Sequence, residues 1–361
     1  MLKDAIPLEN LRRVLVIKLR HHGDVLLSSP VFSALKAHAP QAEIDALVYA
    51  ETAGMLSLHP AIAQLHVIDR QWKKLGPLGH LAAEWQLLKR LRTRHYDLVV
   101  HLTDHPRGAW IARLCKARWA VVRRSGGGRG GWWQNAFSHF YSTPRHALRH
   151  TVELNLDALR RLGLQPTREQ RRLSLVAGTE AETRVASLLE QQGLASTAFV
   201  HLHPASRWFF KCWTIDNMAE LVRRLQGSGH AVVLSAAPDA TEMAMIEAIQ
   251  TKLDTPAFNL AGQLSLKELA ALSARAKLFV GVDSAPMHIA AAVGTPVVAL
   301  FGPSGDKEWG PWGVPHRIVT SAHHPCRPCG MDGCAGSKVS DCLASLPVEP
   351  VWQAVQELLA K

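Results

Sequence analysis

The sequence predicts an α/β protein made of two doubly wound, Rossmann-like halves. Short apolar runs alternate with amphipathic stretches along the whole chain, which is the pattern of parallel strands joined by crossover helices. The alternation breaks over residues 163–177, where Gly163, Pro166 and the charged run 168–172 interrupt it. A chain of 361 residues with 47% hydrophobic residues can bury two cores. The expected domains are therefore 1–172 and 173–361.

Each element follows from its local pattern. In the first half the apolar runs 14–18, 43–48, 65–68, 98–102 and 119–122 read as strands, with helical periodicity at 31–38, 79–92 and 152–162. In the second half strands are expected at 199–202, 231–234, 277–282 and 297–301, with helices at 180–191, 216–225, 241–252 and 266–274. The longest apolar-looking stretch, 289–301, contains Gly294, Thr295 and Pro296 and so reads as helix, turn and strand. Residues 125–131, rich in Gly and Arg, read as a flexible loop and not as a phosphate cradle, because no strand leads directly into a helix there.

Composition narrows the function. Lys3, Asp4, Glu9, Arg12 and Arg13 precede an apolar run, 14–17, too short for a signal peptide or a membrane span, so the protein is expected in the cytoplasm. Six cysteines in a chain of this length do not suggest a disulfide framework. Residues 1–172 hold 27 Lys and Arg against 13 Asp and Glu, whereas residues 173–361 hold 14 against 17. A basic first half attracts a polyanion such as a phosphorylated glycolipid or an anionic membrane face, or is an ordinary solvated surface. Nucleic acid is disfavoured, since no helix-turn-helix, zinc-finger or aromatic-basic pattern is present.

Three strings carry candidate chemistry. The first strand runs into Arg20, His21, His22, Gly23 and Asp24, a tight turn opening a helix. Asp24 is either a helix cap or a carboxylate able to take a proton from a sugar hydroxyl. His21 and His22 can position an acceptor, bind its phosphates, or supply the base themselves. In the second string, a strand ends in Asp283 and is followed by Ser284, Ala285, Pro286 and His288. Backbone amides at such a helix start form an anion site suited to a diphosphate, and Asp283 can bond the hydroxyls of a transferred sugar. The third string places Ser206, Arg207 and Lys211 directly after a strand, where they can neutralise charge on a departing nucleoside diphosphate.

Together the three strings resemble glycosyltransferase family nine, the bacterial ADP-heptose:lipopolysaccharide heptosyltransferases, over nearly the whole chain. The run Lys18 to Asp24 is most similar to the third-heptose branch. The resemblance implies a GT-B fold with two domains facing across a cleft, acceptor binding in the first and ADP-heptose binding in the second, and inversion at the anomeric carbon. It implies that Asp24 is the base, that Lys211 meets the diphosphate and Asp283 the donor sugar, and that Asp239 and Leu264 frame the nucleoside. The implied partners are ADP-heptose, the lipid A-inner core acceptor and, peripherally, the inner membrane. Heptosyl transfer at another core position, a nucleotide-sugar epimerase of the same architecture and a non-catalytic binding protein are the alternatives. A dinucleotide oxidoreductase is weaker, because the first strand leads into His-His-Gly-Asp and not Gly-x-Gly-x-x-Gly. No cofactor is expected. Cys326, Cys329, Cys334 and Cys342 form a spacing that admits zinc as a minority reading beside buried or loop thiols.

Overall fold

The computed structural model describes residues 4–103, 105–124, 131–143 and 148–360. Most of the Gly- and Arg-rich stretch read above as a flexible loop, residues 125–130, lies outside them. The chain divides into two compact units, one ending at Ser174 and the other beginning at Leu175.

The first unit runs β1 (Arg13–Ile17), α1 (His22–Leu26), α2 (Ser29–His38), β2 (Glu43–Tyr49), β3 (Gln64–Ile68), α3 (Gly76–Thr93), β4 (Leu98–His101), α4 (Pro106–Cys115), β5 (Trp119–Arg123), α5 (Gly131–Gln134), β6 (His139–Tyr141) and α6 (Thr151–Arg161). Its six strands are parallel in the order β3-β2-β1-β4-β5-β6. The second unit runs α7 (Thr179–Gln191), β7 (Phe199–His203), α8 (Ile215–Gly227), β8 (Ala231–Leu234), α9 (Ala240–Gln250), β9 (Phe258–Asn259), α10 (Leu266–Arg275), β10 (Leu278–Val282), α11 (Ala285–Ala292), β11 (Val297–Phe301), α12 (Asp306–Trp309), β12 (His316–Thr320), α13 (Asp341–Ala344) and α14 (Val348–Leu359). Its sheet, β12-β11-β10-β7-β8-β9, is parallel throughout and repeats the first unit's winding. Both are Rossmann-type sheets, in which the strand order reverses beside the first strand of each unit.

Burial explains the apolar runs. Helices cover both faces of a parallel sheet, so its central strands are apolar at every position and not at alternate ones. Val14 to Ile17 of β1 and every residue of β10 and β11 are buried. The helices present one stripe to their sheet; α8 buries Met218, Leu221, Val222 and Leu225, the i, i+3, i+4, i+7 positions of one face. Ser265 and Glu268 close a capping box at the start of α10. Gly294, at φ +90°, ends α11 in the left-handed region and lets the chain turn through Thr295 and Pro296 into β11. The expected strands and long helices are present with small shifts at their ends. Three edge strands (β6, β9, β12) and the helices α4 and α14 are additional to the sequence reading.

One buried polar cluster ties α3 to the first sheet. Asp45 of β2 is fully buried and accepts from Arg94 Nε at 2.8 Å, Arg94 Nη2 at 3.1 Å and the Tyr96 hydroxyl at 2.7 Å. Burial alone would raise the Asp45 carboxyl, but the hydrogen bond with His66 at 3.4 Å, the bonds from Arg94 and Tyr96 and the Arg94 charge together hold it below the usual carboxylate range. Asp45→Ala would leave the buried Tyr96 hydroxyl and His66 without this acceptor, while Arg94 keeps Glu43 at 2.9 Å. It is therefore expected to cost about 2–4 kcal/mol, seen as a lower urea midpoint with an unchanged slope. A loss below about 1 kcal/mol would rank the pair with ordinary surface bridges.

Candidate functional site

In each unit the loops that leave the carboxyl ends of the strands flanking the reversal carry the polar residues singled out in the sequence. In the first unit β1 lies between β2 and β4, and the chain leaves Ile17 to open α1 at His22. His21 occupies the cap position of α1 without a side-chain cap bond, so Asp24 is an acidic residue of the first turn and not its cap. The Asp24 side chain is 18% exposed, and Lys18 Nζ stands 4.0 Å from its Oδ1.

Sequence reasoning passed over Lys18, which is 5% exposed and donates to Asn155 Oδ1 of α6 at 3.0 Å and to Leu102 O after β4 at 3.4 Å. Asn155 in turn donates to Leu27 O, which ties Lys18 through α6 to the end of α1. Leu19 N donates to Thr103 Oγ1, which joins the β1 loop to the β4 loop. The signal was a lysine that closes the apolar run of the first strand. A buried ammonium there stands 4.0 Å from the Asp24 carboxylate. Arg20 and His21 are exposed, Gly23 is half-buried, and His22 Nε2 pairs with Glu51 O at 2.9 Å.

In the second unit β7 and β10 are neighbours, and their carboxyl ends carry the other two strings. After β7 the chain passes Ser206, which is buried, and Arg207, which is exposed, and makes a short 3-10 turn, Phe209–Lys211. The turn aims Lys211 back across the sheet. Its Nζ lies 2.6 Å from Asp283 Oδ2, one residue past β10, and 5.1 Å from the centre of the Trp208 ring. The two residues that sequence reasoning gave separate roles thus form one ion pair, largely screened from water, with side-chain exposures of 17% and 9%. Asp283 leads into α11, where the Ser284 hydroxyl donates to Val282 O and leaves the first-turn amides of Ala285 and its neighbours without a side-chain cap. An uncapped helix start beside a lysine is suited to a phosphate group. His288 is buried within α11.

Asp239 and Leu264 stand after β8 and β9, the next strands out from β7. Asp239 caps α9, its Oδ1 accepting from Thr241 N at 2.9 Å and Glu242 N at 3.3 Å. Leu264 is half-buried against the core. An open depression lined by Phe209, Cys212, Trp213, Thr214, Thr241 and Met245 lies beside the 3-10 turn.

The four clustered cysteines are free thiols. Cys326, Cys329 and Cys334 are exposed, while burial raises the thiol pKa of Cys342. Among the described residues no group of three or more His, Cys, Asp or Glu side chains is placed to hold a metal ion. The same residues include no helix long and apolar enough to cross a membrane.

Two Rossmann-type units with polar loops at both reversals define a GT-B architecture. The profile of glycosyltransferase family 9 (heptosyltransferase) matches residues 84–339, and the chain belongs to that family. It is 37% identical to lipopolysaccharide heptosyltransferase 3 of Escherichia coli K12 over 295 residues, 81% of this chain and 83% of that protein. Lipopolysaccharide heptosyltransferase 1 of Pseudomonas aeruginosa is 26% identical over 328 residues, covering 88% and 86% of the two chains. Among solved structures, a family 9 glycosyltransferase from Veillonella parvula has a TM-score of 0.83 at 21% identity, covering 99% of both chains. ADP-heptose heptosyltransferase II of E. coli gives 0.74 at 22% identity, with 96% and 98% covered, which likewise establishes the fold.

Behind the second-unit site, β7 carries two buried histidines. His201 bonds Ser273 Oγ at 3.0 Å and Ser235 Oγ at 2.6 Å, and His203 shares Ser235 Oγ at 2.8 Å. Burial lowers both pKa values, His203 to about 4, so both rings are neutral near pH 7. A histidine with a lowered folded pKa contributes stability above its unfolded value near 6.5, and that contribution is lost as pH falls toward the folded value. Between pH 6.5 and 5 His203 is therefore expected to cost about 2 kcal/mol of stability. Denaturation of His203→Gln at both pH values checks this: the variant should show a shallower acid slope, and an unchanged slope would mean that His203 titrates alike in the folded and unfolded chain.

Proposed function

We propose that this protein is an inverting heptosyltransferase that moves heptose from ADP-L-glycero-β-D-manno-heptose to the lipopolysaccharide inner core, adding the third heptose to heptose II. The observation that carries this reading is the similarity to lipopolysaccharide heptosyltransferase 3, which spans most of both chains and exceeds that to relatives named 1 and 2. The lipid-anchored acceptor places the reaction at the cytoplasmic face of the inner membrane.

The chemistry follows from the residues at the two reversals. Asp24 accepts the proton of the acceptor hydroxyl as that oxygen attacks the anomeric carbon, and the bond from this carbon to the diphosphate oxygen breaks with its electron pair leaving on ADP. Lys18 keeps the Asp24 carboxylate in place. Arg20, His21, His22 and Gly23 border the acceptor and its phosphates. In the second unit Lys211, Ser206, Arg207 and the amides that open α11 at Ser284 and Ala285 hold the diphosphate, and they gain most as its charge grows in the transition state. Asp283 bonds heptose hydroxyls, and buried His288 backs the start of α11. Asp239, Leu264 and the depression beside the 3-10 turn take the adenosine.

Asp283 occupies Lys211, so donor binding partly exchanges a carboxylate for a diphosphate on one ammonium. Lys211→Ala is expected to weaken ADP binding by roughly 10–100-fold and to lower turnover with it, as for the loss of a charge-assisted bond. Asp283→Asn should leave ADP binding equal or tighter while turnover falls, because the sugar loses its acceptor group and the lysine loses its competitor. Calorimetric titration with ADP and steady-state rates on both variants separate these effects; weaker ADP binding by Asp283→Asn would remove Asp283 from the sugar side.

Asp24→Asn should keep the fold and donor affinity while lowering turnover by roughly 10²–10⁴-fold, the range for a lost general base. Mass spectrometry of lipopolysaccharide core is the direct test of the whole reading. Cells lacking the protein should lose one heptose, the wild-type gene should restore it, and the Asp24→Asn gene should not. An unaltered core in the deletion strain would discard the proposed acceptor.

A further inference from the structure

We infer that the outer face of α3 is a docking surface that enters the headgroup region of an anionic lipid bilayer; the inference rests on the reading that the acceptor is lipid-anchored. Helix α3 is apolar on two opposite sides. Leu87 and Leu91 face the first unit's core and are 2% and 0% exposed, and Arg94 binds Asp45 at the helix end. Leu78, Leu81 and Trp85 lie on the opposite face and are 84%, 67% and 62% exposed. They follow the i, i+3, i+7 spacing of one stripe, roughly 10 Å long at the helical rise. The outward side of a helix packed on a core is ordinarily polar, so a stripe of large apolar side chains there marks an interaction site. The neighbouring helix α4, joined to α3 by the Arg107–Glu84 ion pair, adds exposed Trp110 and Leu114, and Trp110 stacks on exposed Trp132 at 5.1 Å.

Charge decides what covers the stripe. Lys73 and Lys74 precede α3, and Lys89, Arg90 and Arg92 lie in its last turns; all are exposed and form no ion pair with the described residues. Glu84 is the one acidic residue of α3, and it is engaged by Arg107 and His80. Apolar side chains with tryptophan between flanking cations are the composition of a helix that lies in a membrane interface, with its rings at headgroup level and its cations on lipid phosphates. A second copy of this chain is the poorer occupant, because a two-fold contact through this face would set the cations of one copy against those of the other.

Direct vesicle binding tests the inference. The full chain is sedimented, without donor or acceptor, with sucrose-loaded vesicles of phosphatidylethanolamine and phosphatidylglycerol, and with phosphatidylcholine vesicles for comparison. It should associate with the anionic vesicles and much less with the neutral ones. The triple variant L78S/L81S/W85S should bind the anionic vesicles roughly tenfold or more weakly, since it loses most of the apolar area that enters the interface. Its thermal unfolding midpoint should not fall, because these side chains are exposed, and its rate on a deacylated, water-soluble core acceptor should equal the wild type's. The pair K73E/K74E should weaken binding to anionic vesicles and leave the neutral background unchanged. Wild-type vesicle binding by the triple variant overturns the inference, as does a wild-type dimer that the triple variant dissociates while vesicle binding is retained. Failure of heptosyl transfer on the soluble acceptor by the wild-type protein would sink the proposed activity and leave the vesicle result standing, so the two readings fail separately.

Discussion

The pairing of Lys211 with Asp283 depends on one constraint, the reversal of strand order beside the first strand of a parallel sheet. Crossovers on one side of that strand run over one face and those on the other side over the opposite face, so the loops at its carboxyl end diverge and leave backbone and side chains uncovered. Lys211 follows β7 and Asp283 follows β10, 72 residues later, and only the pairing of those two strands brings them to 2.6 Å. The same reversal in the first unit sets the loop after β1 beside the loop after β4, which joins Leu19 to Thr103 and Lys18 to Leu102. Both sets of candidate residues are consequences of winding, and the local sequence supplies only the side chains.

Buried polar groups then fix those loops more sharply than apolar packing does. A ring nitrogen or an ammonium removed from water must find a partner of set direction, so each such group restricts the backbone that carries it. His201 and His203 share Ser235 at the end of β7, just ahead of the turn that carries Lys211. Lys18 and Asn155 do the equivalent behind α1. The Asp45 cluster has similar chemistry at a different place, joining α3 to β2 away from the reversal, and so it serves stability and the placement of α3. Position relative to the strand ends, more than burial or charge, separates the two kinds of cluster.

Much of this was legible in the sequence because both sheets are parallel and covered. Strands buried on two faces give uninterrupted apolar runs such as Val14 to Ile17, and the strings after β1, β7 and β10 are compact and polar, so fold class and most site candidates could be read directly. Edge strands lack that signal: β9 is two residues long, Phe258–Asn259, and four of the five residues of β12 are only half-buried. Helix α4 escaped because Pro106 and Gly108 look like loop residues, although Pro suits a first helical turn and Gly108 is required where α4 crosses His101, whose ring would lie 2.1 Å from a Cβ at that position. The Lys211–Asp283 pair was illegible for a different reason. Each residue could be assigned a ligand, but whether they meet is a matter of strand register. The outward stripe of α3 was hidden as well, since periodicity shows that a helix has an apolar face and does not show that it has two.

The two units share a topology and differ in their surfaces, which locates the division of labour in side chains and not in the fold. The first unit carries the positive excess and the exposed Trp and Leu side chains of α3 and α4, while the second carries slightly more acid than base and places Arg207 and Lys211 just past the end of β7. Such a split suits the proposed reaction between a small, water-soluble anionic donor and a large, anchored acceptor. A small diphosphate is best held by short enclosed contacts, which salt screens poorly. An anchored phosphorylated surface is met first by long-range fields, screened beyond roughly 8 Å at physiological ionic strength, and then by insertion of apolar side chains. Had both units been basic, the site for the soluble donor would also attract the polyanionic surface. On the proposed reading, keeping the second unit near neutrality leaves the donor to be selected by the geometry of Lys211 and the uncapped start of α11.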